Sequence, residues 1–419
     1  LIAILLVSFV GCSDDDDDDN NDDTTITTLS GEITENTTLE GDKEYLLSGA
    51  VFVGNGTDET VLTIEPGCKI YGEKSTTGTL IIRQNSKIMA EGTRDNPIVM
   101  TSDQEVGSRA RADWGGLVIN GNAPLNTGTT AEGEGGSGRY GGTDPHDNSG
   151  VLRYVRVEFA GKEFSPDNEL NGIAFQGVGD ATTVEYIQVH MNKDDGIEFF
   201  GGTCDIKYVL LTGNADDSFD YTDGWTGRAQ YVVVQQYGDD ADQGFEFDNN
   251  GDDNDAMPFS NPTIYNFTLL GDNDMDETTE SDYGALIRAG SKGKFYNGII
   301  AGFSKGGLNI DDEVTHNNAD AGDLDIDYVI FADNHVDFKD DDDTWNITDY
   351  VSGRNLWEDS TTPVSDPWNL SNPNYAPTGN ALSYEVKTPD DSWFDATSFL
   401  GGVDPSDDWT TGWTIHEQS

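Results

Sequence analysis

The chain has 419 residues, and its 22 Lys or Arg and 79 Asp or Glu give a formal net charge of −57. This charge excludes nucleic acids as partners, because their binding depends on basic side chains that release counterions. The 49 glycines and the hydrophobic share of 35% favour one long all-β body over several helical domains.

The first twelve residues, LIAILLVSFVGC, form an apolar run that is too short to cross a bilayer and ends in a cysteine. We interpret residues 1–12 as a signal-peptide remnant with a lipobox, which predicts lipidation at Cys12; the alternative is a chance cysteine. The acidic segment at residues 13–28 cannot bury apolar surface and is expected to be an extended tether. The protein would then contact the membrane only through its lipid anchor.

Short strand-like segments repeat along the middle of the chain. The triplets centred on Glu198, Asp220 and Glu246 align at spacings of 22 and 26 residues, and a second set of strand-like segments recurs in fixed phase with them. This period is about half that of a propeller blade and too short for a strand plus an ordinary packed helix. The repeats therefore predict a parallel β-helix.

We place the β-helix, including N-terminal capping strands, at residues 29–344. A solenoid exposes its ends and needs caps. Residues 345–419 are expected to form a C-terminal cap, because they hold six of the eight tryptophans: Trp345, Trp357, Trp368, Trp393, Trp409 and Trp413.

Several strings then resemble a specific family: WGGLVING at 114–121, GVLRYVRVEFAG at 150–161, DDGIEFFGG at 194–202 and DWTTGWT at 408–414. They are similar to Bacteroidota-type surface lipoproteins with a right-handed, pectate-lyase-like parallel β-helix. The resemblance extends from about residue 60 to the C-terminal end. It implies a right-handed helix, an outer-membrane location facing the cell exterior and a possible TonB-dependent receptor as partner. The family has no settled biochemical activity, so no catalytic residue is transferred.

The repeat places three carboxylates on the outer side of successive coils. The residues flanking Glu198, Asp220 and Glu246 are apolar, so the acids between them must point outward. Stacked coils lie about 4.8 Å apart, where two like charges repel by about 3–4 kcal/mol at an effective dielectric near 20. Such a ladder calls for a proton or a hard divalent cation, and we expect Ca²⁺.

Acidic turns precede each of these strands and would bring further oxygen ligands to the same ion. The metal ligands that we expect from them are Asp195, Asp217 and Asp242. The alternative is that these aspartates are turn formers that bond their own backbone. A glycine-rich run at 133–142 lacks the Lys-Ser/Thr ending of a phosphate loop and is expected to lie over the coil face.

One residue is a candidate catalytic base. Register alignment puts Arg288 beside Asp248 and Asp311 of adjacent coils. In β-helix polysaccharide lyases, which this layout resembles, Ca²⁺ binds a uronate carboxylate and an Arg or Lys removes the α-proton. The alternative is a structural salt ladder that keeps the guanidinium protonated.

An aromatic residue offers a candidate ligand contact, since Trp225 could stack on a sugar ring; the alternative is core packing. The leading functional expectation is a calcium-stabilised binding or adhesion module for an extracellular glycan or a surface protein, acting as a substrate-capture partner of an outer-membrane transporter. The alternative is a calcium-dependent polysaccharide lyase or glycoside hydrolase on the coil face. An acidic face favours cationic or metal-bridged partners.

Overall fold

The computed structural model describes residues 26–163, 169–276, 280–339 and 345–419. Cys12 and most of the acidic tether lie outside the described residues. The first strand begins at Thr27, two residues before the expected boundary. Within the described ranges, 24 strands form one continuous ladder whose pairings are parallel, and two small hairpins lie outside it.

The strands are β1 (Thr27–Ile33), β2 (Thr37–Leu39), β3 (Glu44–Val53), β4 (Val61–Ile64), β5 (Lys69–Gly72), β6 (Thr79–Ile82), β7 (Lys87–Glu91), β8 (Ile98–Ser102), β9 (Gly116–Asn120), β10 (Ala131–Gly133), β11 (Gly138–Tyr140), β12 (Gly150–Glu158), β13 (Ile173–Gln176) and β14 (Thr183–His190). They continue as β15 (Ile197–Phe200), β16 (Ile206–Thr212), β17 (Phe219–Thr222), β18 (Arg228–Gln235), β19 (Phe245–Asp248), β20 (Thr263–Leu270), β21 (Tyr283–Arg288), β22 (Gly293–Ala301), β23 (Gly306–Ile310), β24 (Leu324–Ala332), β25 (Phe338–Lys339), β26 (Leu356–Asp359), β27 (Val364–Asp366) and β28 (Asn374–Pro377). The α-helices are α1 (Glu313–Ala321) and α2 (Ile347–Val351), and three short 3₁₀ turns cover Lys74–Thr76, Glu134–Gly136 and Gly379–Leu382.

The register divides the ladder into three faces of a right-handed parallel β-helix. The first face stacks β6, β9, β13, β15, β17, β19, β21, β23 and β25. In the early coils the second and third faces consist of separate strands: β2, β4 and β7 stack on one face, and β5 and β8 stack on the other. Both β7 and β8 then pair with β12. From β12 onward, one long strand per coil therefore serves both faces.

Each long strand bends at one left-handed residue. Pairing is interrupted at Tyr154 of β12, which has φ +50°, and the halves before and after it pair with β7 and β8 respectively. The same corner position recurs in the later long strands at Tyr186, Tyr208, Tyr231, Asn266, Asn297 and Tyr328. Left-handed backbone disfavours residues with a Cβ, so the surrounding stack must hold these corners. The Tyr186 and Tyr208 rings lie parallel with centroids 4.3 Å apart.

The interior confirms the predicted alternation. The six apolar partners of the acidic strands are at most 1% exposed: Ile197, Phe199, Phe219, Tyr221, Phe245 and Phe247. Aromatic rings stack from coil to coil, with Phe175 4.8 Å from Phe199 and Tyr221 4.1 Å from Phe247. This stacking adds to the burial that stabilises neighbouring coils.

The C-terminal segment differs from the expected end cap. Strand β26, which contains Trp357, pairs with β24 and continues the ladder as far as Asp359. Trp345 stacks on His316 near that end, at 4.3 Å. The later tryptophans instead pack along the side of the solenoid: Trp368, Trp409 and Trp413 with the outer cluster around the corner tyrosines, and Trp393 over Lys207 and Arg228. Residues 360–419 therefore return along the helix instead of closing it.

None of the helices in the described part of the chain has the length and apolarity that a bilayer crossing needs.

Candidate functional site

The outward side chains of the first face form one column that runs the length of the solenoid. Backbone register joins Glu198 to Asp220 and Asp220 to Glu246, which confirms the predicted stacking of the three acids. The coils before them present apolar residues in this column, and the coils after them present Leu286, Asn309 and Lys339. The acids thus occupy one short central segment of the face.

Two of these three stacked acids lie close to an aspartate from a turn. Ligand oxygens of Asp195, Glu198 and Asp220 all lie within 4.8 Å of one another. Asp195 and Glu198 are only 7% and 8% exposed. These three residues define what we call the acidic cluster. Its oxygen donors match the preference of Ca²⁺ for carboxylates.

A residue of the preceding coil and a hairpin from outside the repeat cover the cluster. Asn171, two residues before β13, donates its amide hydrogen to Glu198 Oε2 at 2.5 Å. The β10–β11 hairpin lies against the first face, since Asn120 of β9 donates to the Ser137 carbonyl at 2.9 Å. Glu134 at the hairpin tip adds its charge to those of Glu198 and Asp194. The glycine-rich run thus lies over the coil face, as predicted.

Two buried oxygen atoms at the cluster are unsatisfied. Among the described residues, neither Asp220 Oδ1 nor Asn171 Oδ1 has a hydrogen-bond partner. A buried acceptor without a partner carries a desolvation penalty of about 1–3 kcal/mol. Both atoms are oxygens of the type that coordinates a hard cation. The residues present therefore fit a divalent ion.

The charges of the cluster perturb one another. Burial, followed by repulsion from neighbouring carboxylates, raises the pKa of Asp195, Glu198 and Asp220 well above the ordinary value. Burial and the negative charge of nearby acids raise the pKa of Asp194 to about 8. Without a cation, burial and mutual repulsion thus favour the protonated forms of the cluster carboxylates.

The turn aspartates also have a structural role. Asp195 Oδ1 accepts from the Asp217 backbone N–H at 3.1 Å, and Asp217 Oδ1 accepts from the Gln243 N–H at 2.6 Å. Gln243 Oε1 then accepts from the Tyr283 N–H at 3.1 Å. Each side chain therefore supports the backbone of the next coil, and a neutral glutamine does so as well as an aspartate.

The remaining expected metal ligands have other neighbours. Glu246 and Asp248 both pair with Arg288, at 2.8 and 3.0 Å. Asp242 lies beside Asp282, and its pKa rises to about 6 chiefly through burial. Neither Glu246, Asp217 nor Asp242 belongs to a described group of three possible metal ligands.

Arg288 occupies the predicted position. Arg288 pairs in register with Asp248. On the next coil, the backbone N–H of Asp311 donates to the carbonyl of Ile287, the residue before Arg288. The Glu246 and Asp248 charges raise the pKa of Arg288 against the opposing effect of burial. The arrangement is a structural salt ladder that keeps the guanidinium protonated, which was the alternative to a catalytic base.

Trp225 corrects one expectation. Its side chain is 0% exposed, stacks on Phe199 at 4.4 Å and donates its indole N–H to the Cys204 carbonyl at 3.1 Å. A sugar ring cannot reach a side chain packed inside the coils. Trp225 is therefore a core residue.

A second acidic group adjoins the cluster. Oxygens of Asp194, Asp195 and Asp216 also lie within 4.8 Å of one another. A cavity of about 220 Å³ opens beside them, and its walls include Glu163, Glu169, Lys193, Asp240, Asp242 and Glu280. Its only described basic lining residue is Lys193, which pairs with Asp240.

Sequence analysis missed the residues that cover the cluster. Glu134 lies outside the 22-to-26-residue repeat, so periodicity gave no reason to place it beside Glu198. Asn171 lies within the repeat, because it precedes Ile173 as Asp195 precedes the register partner Ile197. The only available signal was the position of Asn171 one coil before the acidic strands.

The protein-family model of the pectate-lyase-like β-helix domain matches residues 31–414 of the chain. No curated protein and no solved structure matches it.

Proposed function

The chain belongs to the pectate-lyase-like β-helix domain family, and from that premise we propose that it is a calcium-stabilised binding module. The observation that carries the proposal is the acidic cluster, where three carboxylates converge beneath a covering loop and Asp220 Oδ1 has no partner within the described residues. Asp195, Glu198 and Asp220 would hold the ion, with Asn171 Oδ1 as a neutral donor.

The second face of the helix supplies an internal comparison. There Glu91, Arg153, Glu185 and Lys207 stack in register with alternating charge, and Arg153 bonds both neighbouring glutamates at 3.1 Å. Side-chain cations thus compensate this ladder. Glu198 and Asp220 have no such basic residue between them in register, which supports an external cation there.

The main role of a bound ion would be to stabilise the fold. The cluster is largely covered, so the ion would neutralise repulsion between stacked coils and stabilise the first face. The acidic cavity beside it would favour a cationic or metal-bridged partner. We propose an extracellular glycan or a surface protein as that partner.

The cellular setting is proposed from the N-terminal sequence. A lipid on Cys12 would anchor the module to the outer membrane, with residues 13–28 as the tether that displays it outside the cell. A TonB-dependent receptor is the transporter that we propose it serves. Palmitate labelling of wild type and Cys12→Ala in a bacterial host tests the anchor, and unchanged labelling of the variant contradicts it.

Calorimetric titration of the metal-free protein with Ca²⁺ tests the central proposal. Wild type should bind saturably and melt at a higher temperature with Ca²⁺ than with chelator. Glu198→Gln should lose both effects, whereas Glu185→Gln, in the alternating ladder, should retain them. Absence of binding at millimolar Ca²⁺, or equal loss in both variants, contradicts the proposal.

A polysaccharide lyase is the second candidate, because Arg288 lies one coil from the acidic ladder. Its two ion pairs hold the guanidinium protonated and oppose a role as base. Incubation with polygalacturonate and alginate in Ca²⁺ should give no product with the ultraviolet absorbance of an unsaturated uronate. Product formation that Arg288→Met abolishes would favour the lyase instead.

A further inference from the structure

The returning C-terminal segment contacts the helix in a manner that differs from ordinary packing. Three carboxamide side chains each form two hydrogen bonds with one residue of that segment. The carboxamide oxygen accepts from the backbone N–H, and the carboxamide nitrogen donates to the backbone C=O. Gln188 does so with Ile415, at 2.9 and 2.6 Å. The other pairs are Gln230 with Asp395, both bonds at 2.8 Å, and Asn297 with Lys387, at 2.8 and 3.0 Å.

These carboxamides are not free surface groups. Gln188, Gln230 and Asn297 are each 0% exposed, and all three bond the segment, while Gln188 also donates to Thr212 and Gln230 to Asn266 on the helix itself. A buried carboxamide oxygen left without its bond to the segment would carry a desolvation penalty. The pairing uses only backbone atoms of the segment, as in other modes of extended-peptide recognition.

The last residues run beside a strand of the third face, after a turn at residues 409–413. Gln188 and His190 stand two apart on β14, and they bond Ile415 and Glu417, which are also two apart. Arg156, the register partner of Gln188 on β12, donates to the Trp413 carbonyl at 2.8 Å. The shared spacing of two between Gln188 and His190 and between Ile415 and Glu417 indicates a short extended stretch beside β14, which follows the turn that carries Trp413.

Two tryptophans anchor this stretch. Trp413 meets the Tyr154 ring edge-on at 5.4 Å, and Trp409 meets Tyr186 and Tyr208 in the same way at 6.5 and 5.7 Å. Both indoles are at most 5% exposed. Arg94 also donates to the Asp408 and Thr411 carbonyls, at 2.7 and 2.8 Å.

We propose that the third face, with its tyrosine corner, is a binding site for a polypeptide that has a turn with two tryptophans followed by an extended end, and that residues 408–419 are its resident ligand. The site reads the peptide backbone through Arg156, Gln188 and His190 and selects a pair of tryptophans four residues apart. A peptide with that chemistry binds in trans when the resident segment is released. A tethered segment has an effective concentration in the millimolar range, so it blocks the site in the intact chain.

The test keeps the whole chain and makes the segment separable. An exposed turn at residues 405–407 precedes Asp408, and a protease site inserted there allows the folded protein to be cut. The released fragment should remain bound through gel filtration. Fluorescently labelled peptide 408–419 should then exchange into the site with saturable anisotropy.

Matched variants identify the contacts. Gln188→Leu in the cut protein should weaken peptide binding about tenfold, from the loss of a bidentate pair. Gln230→Leu should leave it within about twofold, because its partner Asp395 lies on the uncut side. A peptide N-methylated at Ile415 should also bind about tenfold more weakly than one N-methylated at Gln418, which leaves the protein itself unaltered.

Three results would overturn the proposal. The fragment dissociates on cutting and labelled peptide does not bind; methylation at Ile415 and Gln418 has equal effects; or a peptide with both tryptophans replaced by alanine binds as well as the original. The peptide variants answer the question even where Gln188→Leu disturbs folding.

Discussion

Glu198 and Asp220 occupy directly paired positions on neighbouring coils, and Asp220 Oδ1 has no hydrogen-bond partner among the described residues. Two buried carboxylates in register repel unless a proton or a cation lies between them. This repulsion determines how we expect the stability of the metal-free protein to respond to substitution and to pH.

Removal of one of these charges should stabilise the metal-free protein. Asp220→Asn keeps the shape of the side chain and removes its charge, so we expect the free energy of unfolding in chelator to rise by about 1–2 kcal/mol. Urea denaturation measures it. The control Glu185→Gln breaks a bond to Arg153 and should leave stability unchanged or lower it. A fall in stability for Asp220→Asn contradicts the repulsion argument.

The pH dependence of stability follows from the raised pKa values. Asp194 and Glu246 have pKa values of about 8 and 7, above those of about 4 in the unfolded chain. The folded state therefore holds more protons, and stability in chelator should fall as pH rises from about 5 to 8. Buried His190, with its pKa lowered to about 3, acts oppositely and should reduce stability as pH falls below about 6.

Thermal melts from pH 5 to 9, with and without Ca²⁺, measure both effects. A bound ion should reduce the loss of stability as pH rises, because it replaces protons as the counter-charge. A melting temperature that rises steadily towards pH 8 in chelator would show that the carboxylates are not protonated in the folded state.

Asp217 should tolerate loss of its charge but not of its oxygen. Asp217→Asn keeps an acceptor for the Gln243 N–H, so stability should change by less than about 0.5 kcal/mol or rise. Asp217→Ala leaves that buried N–H unpaired and should lower stability by about 1–3 kcal/mol. If Ca²⁺ binding survives Asp217→Asn in calorimetry, Asp217 is a structural acceptor; loss of binding would make it a ligand.

Arg288 should contribute to stability through its ion pairs. Arg288→Met leaves Glu246 and Asp248 without their partner, and we expect a loss of about 1–3 kcal/mol in chemical denaturation, reduced by the partial exposure of the guanidinium. Lys43→Met, which removes an exposed pair with Glu40, should have little effect. Equal effects of the two changes would remove the salt-ladder interpretation.

Trp225 should act as a core residue. Trp225→Ala opens a cavity next to Phe199 and should lower the free energy of unfolding by about 3–5 kcal/mol. Trp393→Ala, at a half-buried position on the side of the helix, should have a smaller effect. Fluorescence-monitored unfolding distinguishes them, and near-neutral behaviour of Trp225→Ala would contradict the packing.

The fold was largely predictable because a solenoid repeats local information. The spacing of Phe219 and Phe245 predicts both the coil and the inward side of each strand, and their burial confirms it. The same register predicted the contact between Arg288 and Asp248 across forty residues. The expected tryptophan-rich end cap was not confirmed: Trp409 and Trp413 pack along the side of the helix, and their apolar character alone does not distinguish a side from an end.

The sequence by itself determined the coil, its inward faces and the stack of Glu198, Asp220 and Glu246, since these depend on periods of two and of one coil. Only the tertiary structure decided which acids converge and what covers them. The hairpin that carries Glu134 lies over Glu198 from outside the repeat, and Gln188 meets Ile415 from 227 residues away. Such contacts depend on how irregular segments return to the solenoid, and no local periodicity encodes that path.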